Sequence, residues 1–83
     1  MPYVYIIQSQ QGHLYVGSTT NLQKRLMQHN NHIPFWTKRG TNWKLIYHEE
    51  FSSLSDARKR ERWFKSGVGR LMIKKILNSL HGS

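Results

Sequence analysis

Arg25 and His29 stand at i and i+4, a spacing that turns both side chains to one side of a helix. With Leu22 and Leu26 they fall within one stripe about 100° wide. An arginine there suits bidentate contact with phosphate. The competing reading is a snorkelling cation beside a histidine at the core edge. Glu61 is a lone acid among Arg58, Lys59, Arg60, Arg62 and Lys65. At helical spacing it shares the apolar stripe of Leu54, Ala57 and Phe64. One reading is a carboxylate at the rim of the core, held by an arginine. The other is a ligand for Mg2+, which is often held by one or two carboxylates with water and substrate phosphate. A strongly basic helix that carries an acid where a polyanion would dock needs a reason, and metal binding supplies one. Tyr5 and Tyr15 complete the set. Strand tyrosines are ordinarily packing, but beside a metal and an arginine a phenol pKa falls from its usual ~10.

These residues need elements to position them. Tyr3-Val4-Tyr5-Ile6-Ile7 is β-branched and aromatic and reads as a strand. Gln10-Gln11-Gly12 reads as a turn, and Leu14-Tyr15-Val16 as a second strand closing at Gly17. Pairing Gln8 with Gly12 leaves a loop of Ser9, Gln10 and Gln11. That register sets Tyr5 opposite Tyr15 and Tyr3 opposite Gly17, both phenols on one face. Ser18-Thr19-Thr20-Asn21 offers N-caps for a helix running to His29 or Asn30. Residues 31–42 read as irregular loop.

Trp43 to Tyr47 reads as a third strand, extending toward Phe51. Ser52, Ser53 or Ser55 caps a second helix through about Lys65. Ser66-Gly67-Val68-Gly69 is expected to break it. A last helix follows, with Met72, Ile73, Ile76, Leu77 and Leu80 as its apolar face. The order implies a small sheet of about three strands with helices packed on it.

Composition narrows the function. At 83 residues the chain has room for one core, so residues 1–83 are read as a single domain. Thirteen Lys and Arg against four Asp and Glu give a net charge of +9, which calls for a polyanionic partner, nucleic acid before membrane. The chain has no cysteine, which excludes disulfides, thiolate zinc sites and a cysteine nucleophile and fits a reducing, cytoplasmic setting. No apolar run approaches the ~20 residues of a membrane span, and no leader pattern precedes the first strand. His13, His32, His48 and His81 are scattered without zinc-ligand spacing. There is no Walker loop, dinucleotide fingerprint or nucleophile elbow.

As an ordered set, Tyr3-Val4-Tyr5, Tyr15-Val16-Gly17, Arg25, His29 and a later helical Glu61 resembles the GIY-YIG endonuclease family. The similarity is greatest to its small stand-alone bacterial members, related to the amino-terminal nuclease module of the excision-repair incision enzyme. Gly17-Ser18-Thr19, Lys24-Arg25-Leu26, His29-Asn30, Trp43-Lys44-Leu45, Glu49-Glu50-Phe51, Ala57-Arg58 and Lys65-Ser66-Gly67 extend it over nearly the whole chain. The resemblance implies a small α/β fold with a three-stranded antiparallel sheet flanked by about three helices. It also implies phosphodiester hydrolysis with one divalent ion, Mg2+ or Mn2+. By position, Tyr5 and Tyr15 match the motif tyrosines, Arg25 the phosphate-facing arginine, His29 its helical companion and Glu61 the metal ligand. Tyr3 stands in place of the first motif glycine, and Asn78 is the sole candidate for a late asparagine often found near the site.

The mechanism so implied is in-line attack of water on the phosphodiester. Tyr5 or Tyr15 acts as base with His29 assisting, while Arg25 and a metal on Glu61 meet the added charge. Cations on the helices, Lys24, Arg58, Arg62, Lys65 and Arg70 among them, are expected to track phosphates. Lys38 and Arg39, interleaved with Phe35 and Trp36, suit stacking on unpaired bases. DNA is the expected nucleic acid, and a domain this small has room for a protein partner that supplies specificity. The alternative is a non-catalytic binding module, its last two helices joined by Gly67-Val68-Gly69 in the manner of a helix-turn-helix. That explains the charge but not the polar residues on apolar stripes.

Overall fold

The computed structural model describes residues 1–31 and 40–80. Phe35, Trp36, Lys38 and Arg39 therefore lie outside the described residues. The elements follow in the expected order: β1 (Tyr3–Gln8), β2 (Leu14–Thr19), α1 (Leu22–Asn30), β3 (Lys44–Glu50), α2 (Leu54–Phe64) and α3 (Gly67–Leu80). The strands form one antiparallel sheet in the order β2-β1-β3. With three helices against it, this is the α/β architecture expected.

Central β1 is apolar on both faces, as a strand covered on both sides must be. Val4 and Ile6 join Val16, Phe64 and Ile73 in the core beneath α2 and α3. Tyr5 and Ile7, with Trp43, form a smaller core against Leu22 and Leu26 of α1. The sheet thus lies between α1 on one side and α2 with α3 on the other. Asn21 caps α1, its side-chain oxygen accepting from Lys24 N at 3.1 Å. Ser53 caps α2 in the same way through Asp56 N at 3.2 Å. Asn30 ties the end of α1 to the start of β3: its amide donates to the Trp43 carbonyl at 3.1 Å and accepts from Trp43 N at 2.7 Å.

Two expectations are corrected. Gln8 pairs with Leu14 rather than Gly12, so Tyr5 faces Gly17, Ile7 faces Tyr15 and Tyr3 faces Thr19. The longer loop is stabilised by Ser9: its hydroxyl accepts from His13 N at 3.0 Å, its carbonyl from Gly12 N at 3.0 Å, and its own N–H donates to the His13 carbonyl at 2.9 Å. Gly12 supplies the positive φ of 92° the turn requires. Because the slip is one whole pair, side chains keep their faces. Tyr5 and Tyr15 are diagonal neighbours on one face, their ring centroids 6.3 Å apart.

The second correction concerns Gly67-Val68-Gly69, which is the first turn of α3 and not a linker. The chain turns at Lys65-Ser66 instead. Ser66 caps the new helix, its hydroxyl accepting from Gly69 N at 3.3 Å and its carbonyl from Arg70 N at 3.0 Å. Gly69 is where the two helices touch: a Cβ there would lie 2.7 Å from the Phe64 carbonyl carbon. Glycine serves here as a contact surface. The inner side of α3 is spent on core through Ile73, so these helices are a layer on a sheet rather than a free helix-turn-helix.

Candidate active site

Tyr5 projects from β1 toward α1 and is 2% exposed. Its ring leans across β2 at Gly17, where a Cβ would sit 2.6 Å from Tyr5 Cζ and 3.0 Å from Tyr15 Cε1. Only the absence of a side chain on β2 lets the phenol reach the edge of the sheet. There Tyr5 Oη lies 2.8 Å from His29 Nε2. Tyr15 closes the group, its ring 4.7 Å from that of His29.

His29 is wholly buried, deeper than the core-edge position its stripe suggested. Burial and then the charge of Arg25 push its pKa down from 6.5 to about 4. It is therefore a neutral imidazole across the physiological range. Its Nδ1 has no hydrogen-bond partner among the described residues. A buried, unpaired ring nitrogen of this kind calls for a partner or a role beyond packing.

The Tyr5 hydroxyl is pushed above the ordinary phenol range, first by burial, then by Tyr15; Arg25 opposes this by charge and hydrogen bonding, and Glu61 adds to it. The sequence suggested that an arginine would draw the phenol down. Arg25 is placed to do so, but desolvation outweighs it. The same balance puts Arg25 and Glu61 both within electrostatic range of the one hydroxyl.

Glu61 approaches from the other side of the sheet, on α2. Its Oε1 accepts from Ser18 Oγ at 2.7 Å and its Oε2 from Lys65 Nζ at 2.8 Å. The site therefore wraps around edge strand β2, with the tyrosines and His29 on the α1 face and Ser18 with Glu61 on the α2 face. Among the described residues no three His, Cys, Asp or Glu side chains cluster as a metal cage. That donor set does not fit zinc or a caged Ca2+. A single carboxylate fits Mg2+ or Mn2+, ions that keep waters and take further oxygens from substrate phosphate. Lys65 is half exposed and its ammonium can swing from Oε2, while Ser18 fixes the rotation of the carboxylate.

Ser18 went unread in the sequence, where it was one of several N-cap candidates. Alternation along β2 was the available signal, since Val16 and Ser18 must share the face opposite Gly17. Of the expected nucleic-acid contacts, Lys24, Arg58, Arg62, Lys65 and Arg70 are all exposed. Arg60, by contrast, is committed to structure. It donates to Glu49 at 2.9 and 3.2 Å and lies 4.0 Å over the Trp63 ring. Asn78 is not brought to the site: it lines a hollow with Trp63, Leu71 and Lys75.

Residues 1–75 match the family model described as the GIY-YIG catalytic domain. The chain is 41% identical over 66 residues to a UPF0213 protein of Clostridium perfringens, covering 78% of this chain and 71% of that one. A UPF0213 protein of Staphylococcus saprophyticus is 37% identical over 75 residues, 89% of this chain and 92% of its own. A third, from Syntrophus aciditrophicus, is 40% identical over 65 residues, 76% of this chain and 75% of its own. No solved structure matches the chain at a significant level. With the tyrosines, Arg25, His29 and Glu61 gathered around one strand and the family model spanning nearly all of the sequence, the chain belongs to the GIY-YIG nuclease family.

Proposed function

We propose that this protein is a metal-dependent endonuclease that hydrolyses phosphodiester bonds in nucleic acid, DNA foremost. The observation that carries the reading is the buried Tyr5 Oη–His29 Nε2 contact at 2.8 Å, made on a hydroxyl that both Arg25 and Glu61 influence. Tyr5 takes the proton of the attacking water as its own proton passes to Nε2 of neutral His29. The negative charge of the phosphate favours that transfer despite the low basicity of His29. Arg25 binds the non-bridging oxygens and meets the charge that grows on them. Tyr15, its ring against His29 at an angle of 56°, fixes the imidazole and orients the water. Glu61, turned by Ser18, would hold the ion, which would supply Lewis-acid stabilisation of the phosphate and leaving oxygen.

The net charge of +9 supplies affinity without sequence information, and a protein partner would supply selectivity. No helix among the described residues is long and apolar enough to cross a membrane. A chain without cysteine suits the reducing cytoplasm. The test is conversion of supercoiled plasmid to nicked circles by purified protein with Mg2+ or Mn2+. Nicking that stops with EDTA and is lost in Arg25→Ala supports the reading. Binding without any nicking by folded protein, over a range of metals, would make this a non-catalytic module.

A further inference from the structure

A groove of about 420 Å³ runs between β2 and the α2–α3 layer. That is within the ~300–1,000 Å³ usual for small-molecule sites. Leu14 and the half-buried Leu77 give it an apolar floor above the core residues Val16, Phe64 and Ile73, and Lys65, Arg70 and Lys74 line it with positive charge. No acidic residue is among its described lining. Leu14 remains 41% exposed at its mouth.

The groove opens directly from the candidate active site. Lys65 belongs to both: it lines the groove, and its Nζ is 2.8 Å from Glu61 Oε2 on the same face of the sheet. Chain leaving the reacting phosphate past Lys65 reaches it. Cations alone would serve a duplex, whose phosphates face outward and whose base faces are stacked within. An apolar floor between the cations is of no use to a duplex. It suits a base with a free face, whose burial adds to phosphate contact. β2 is also the edge of the sheet, so its outward backbone groups pair with no other strand among the described residues and are available to the edge of such a base.

We propose that this groove seats an unpaired nucleotide next to the scissile phosphate, its base against Leu14 and Leu77 and its flanking phosphates on Lys65, Arg70 and Lys74. The proposal rests on the nuclease reading and names its substrate class: nucleic acid that is single-stranded beside the cut. Positive lining and apolar floor together match an anionic, aromatic ligand better than an apolar peptide or a second copy of this +9 chain.

The test is fluorescence-anisotropy binding in EDTA, so that no cleavage intervenes, with a single-stranded oligonucleotide, an abasic oligonucleotide of equal length and charge, and a duplex. The expected result is that the base-bearing strand binds about fivefold or more tighter than the abasic one. Leu14→Ser should remove most of that difference and leave abasic binding unchanged; Leu77→Ala is a second probe should Leu14→Ser fail to fold. Deoxy and ribo strands run side by side, and a base-dependent gain in either supports the proposal. Equal binding of base-bearing and abasic strands in both series overturns it, as does base-independent binding with self-association that Leu14→Ser abolishes. Plasmid nicking by the same preparation reports separately on the nuclease reading.

Discussion

The Tyr5 ring lies over Gly17, its partner across the β1–β2 ladder, with Cζ 2.6 Å from the place a Cβ at position 17 would occupy. Gly17 is thus a passage for the phenol. Gly17→Ala should push Tyr5 from His29 and cost about 1–3 kcal/mol in overpacking. Nicking should fall by more than tenfold in protein that still folds, as read by circular dichroism. An alanine variant with wild-type nicking would show that Tyr5 need not cross the strand.

Glu61→Ala should abolish metal-dependent cleavage while nucleic-acid binding survives or tightens slightly. The substitution removes the sole acid of α2 at the site and frees Lys65 from its ion pair. Mn2+ binding followed by paramagnetic resonance gives an independent readout and should weaken in the same variant. Unchanged cleavage would remove Glu61 from the site.

Tyr5→Phe keeps the ring and deletes the hydroxyl, so it tests chemistry rather than packing. A loss of at least two orders of magnitude is expected, within the ~10²–10⁴ typical of general-base removal. Tyr15→Phe should lose less. Because burial keeps the Tyr5 hydroxyl protonated, as the relay to neutral His29 requires, wild-type activity should rise as pH passes about 4 and then stay level to about pH 9. Wild-type rates in both variants would leave the tyrosines as strand packing.

His29 links the site to stability. Its pKa is about 4 folded and 6.5 when exposed, so in between the unfolded chain binds a proton that the folded chain refuses. Stability from this residue is complete above about pH 6.5 and is lost as pH falls to about 4, in total about 3 kcal/mol. Glu49 acts later: burial would raise its carboxyl, but Arg60 and Tyr47 outweigh that and hold it below 4.5. Urea unfolding at pH 7.5 and 5 should show the decline in wild type and a flatter line in His29→Leu. Parallel lines for the two proteins would contradict a buried neutral imidazole.

The parts legible in the sequence were those governed by local chemistry. The strand-like run of β1, the caps at Asn21 and Ser53 and the stripe of Ala57 and Phe64 each follow from a few neighbouring residues. Face assignment survived a wrong register, because a slip by one pair preserves parity. What escaped reading depended on distant partners. Ser9 lengthens the hairpin loop through its bonds to Gly12 and His13. Gly69 stands in the first turn of α3 because the Phe64 backbone leaves no room there for a larger residue. Ser18 joins Glu61 across 43 positions of chain, beyond the reach of any short motif. Arg60 looked like another phosphate contact until Glu49 and Trp63 claimed it.

The two cores on opposite faces of β1 are unequal. Val4, Ile6, Val16, Phe64 and Ile73 join the sheet to two helices, whereas among the described residues α1 is held by Leu22, Leu26, the buried His29 and the Asn30 clamp. A unit so lightly attached can undock by subglobal opening while the remainder stays intact. His29 and Arg25 would leave with it, and Tyr5 would lose its partner with the larger core undisturbed. Thermal inactivation should then precede the melting of the molecule, and amides of α1 should exchange with solvent before those of β1, so that the working temperature of the catalyst is set by its shortest helix.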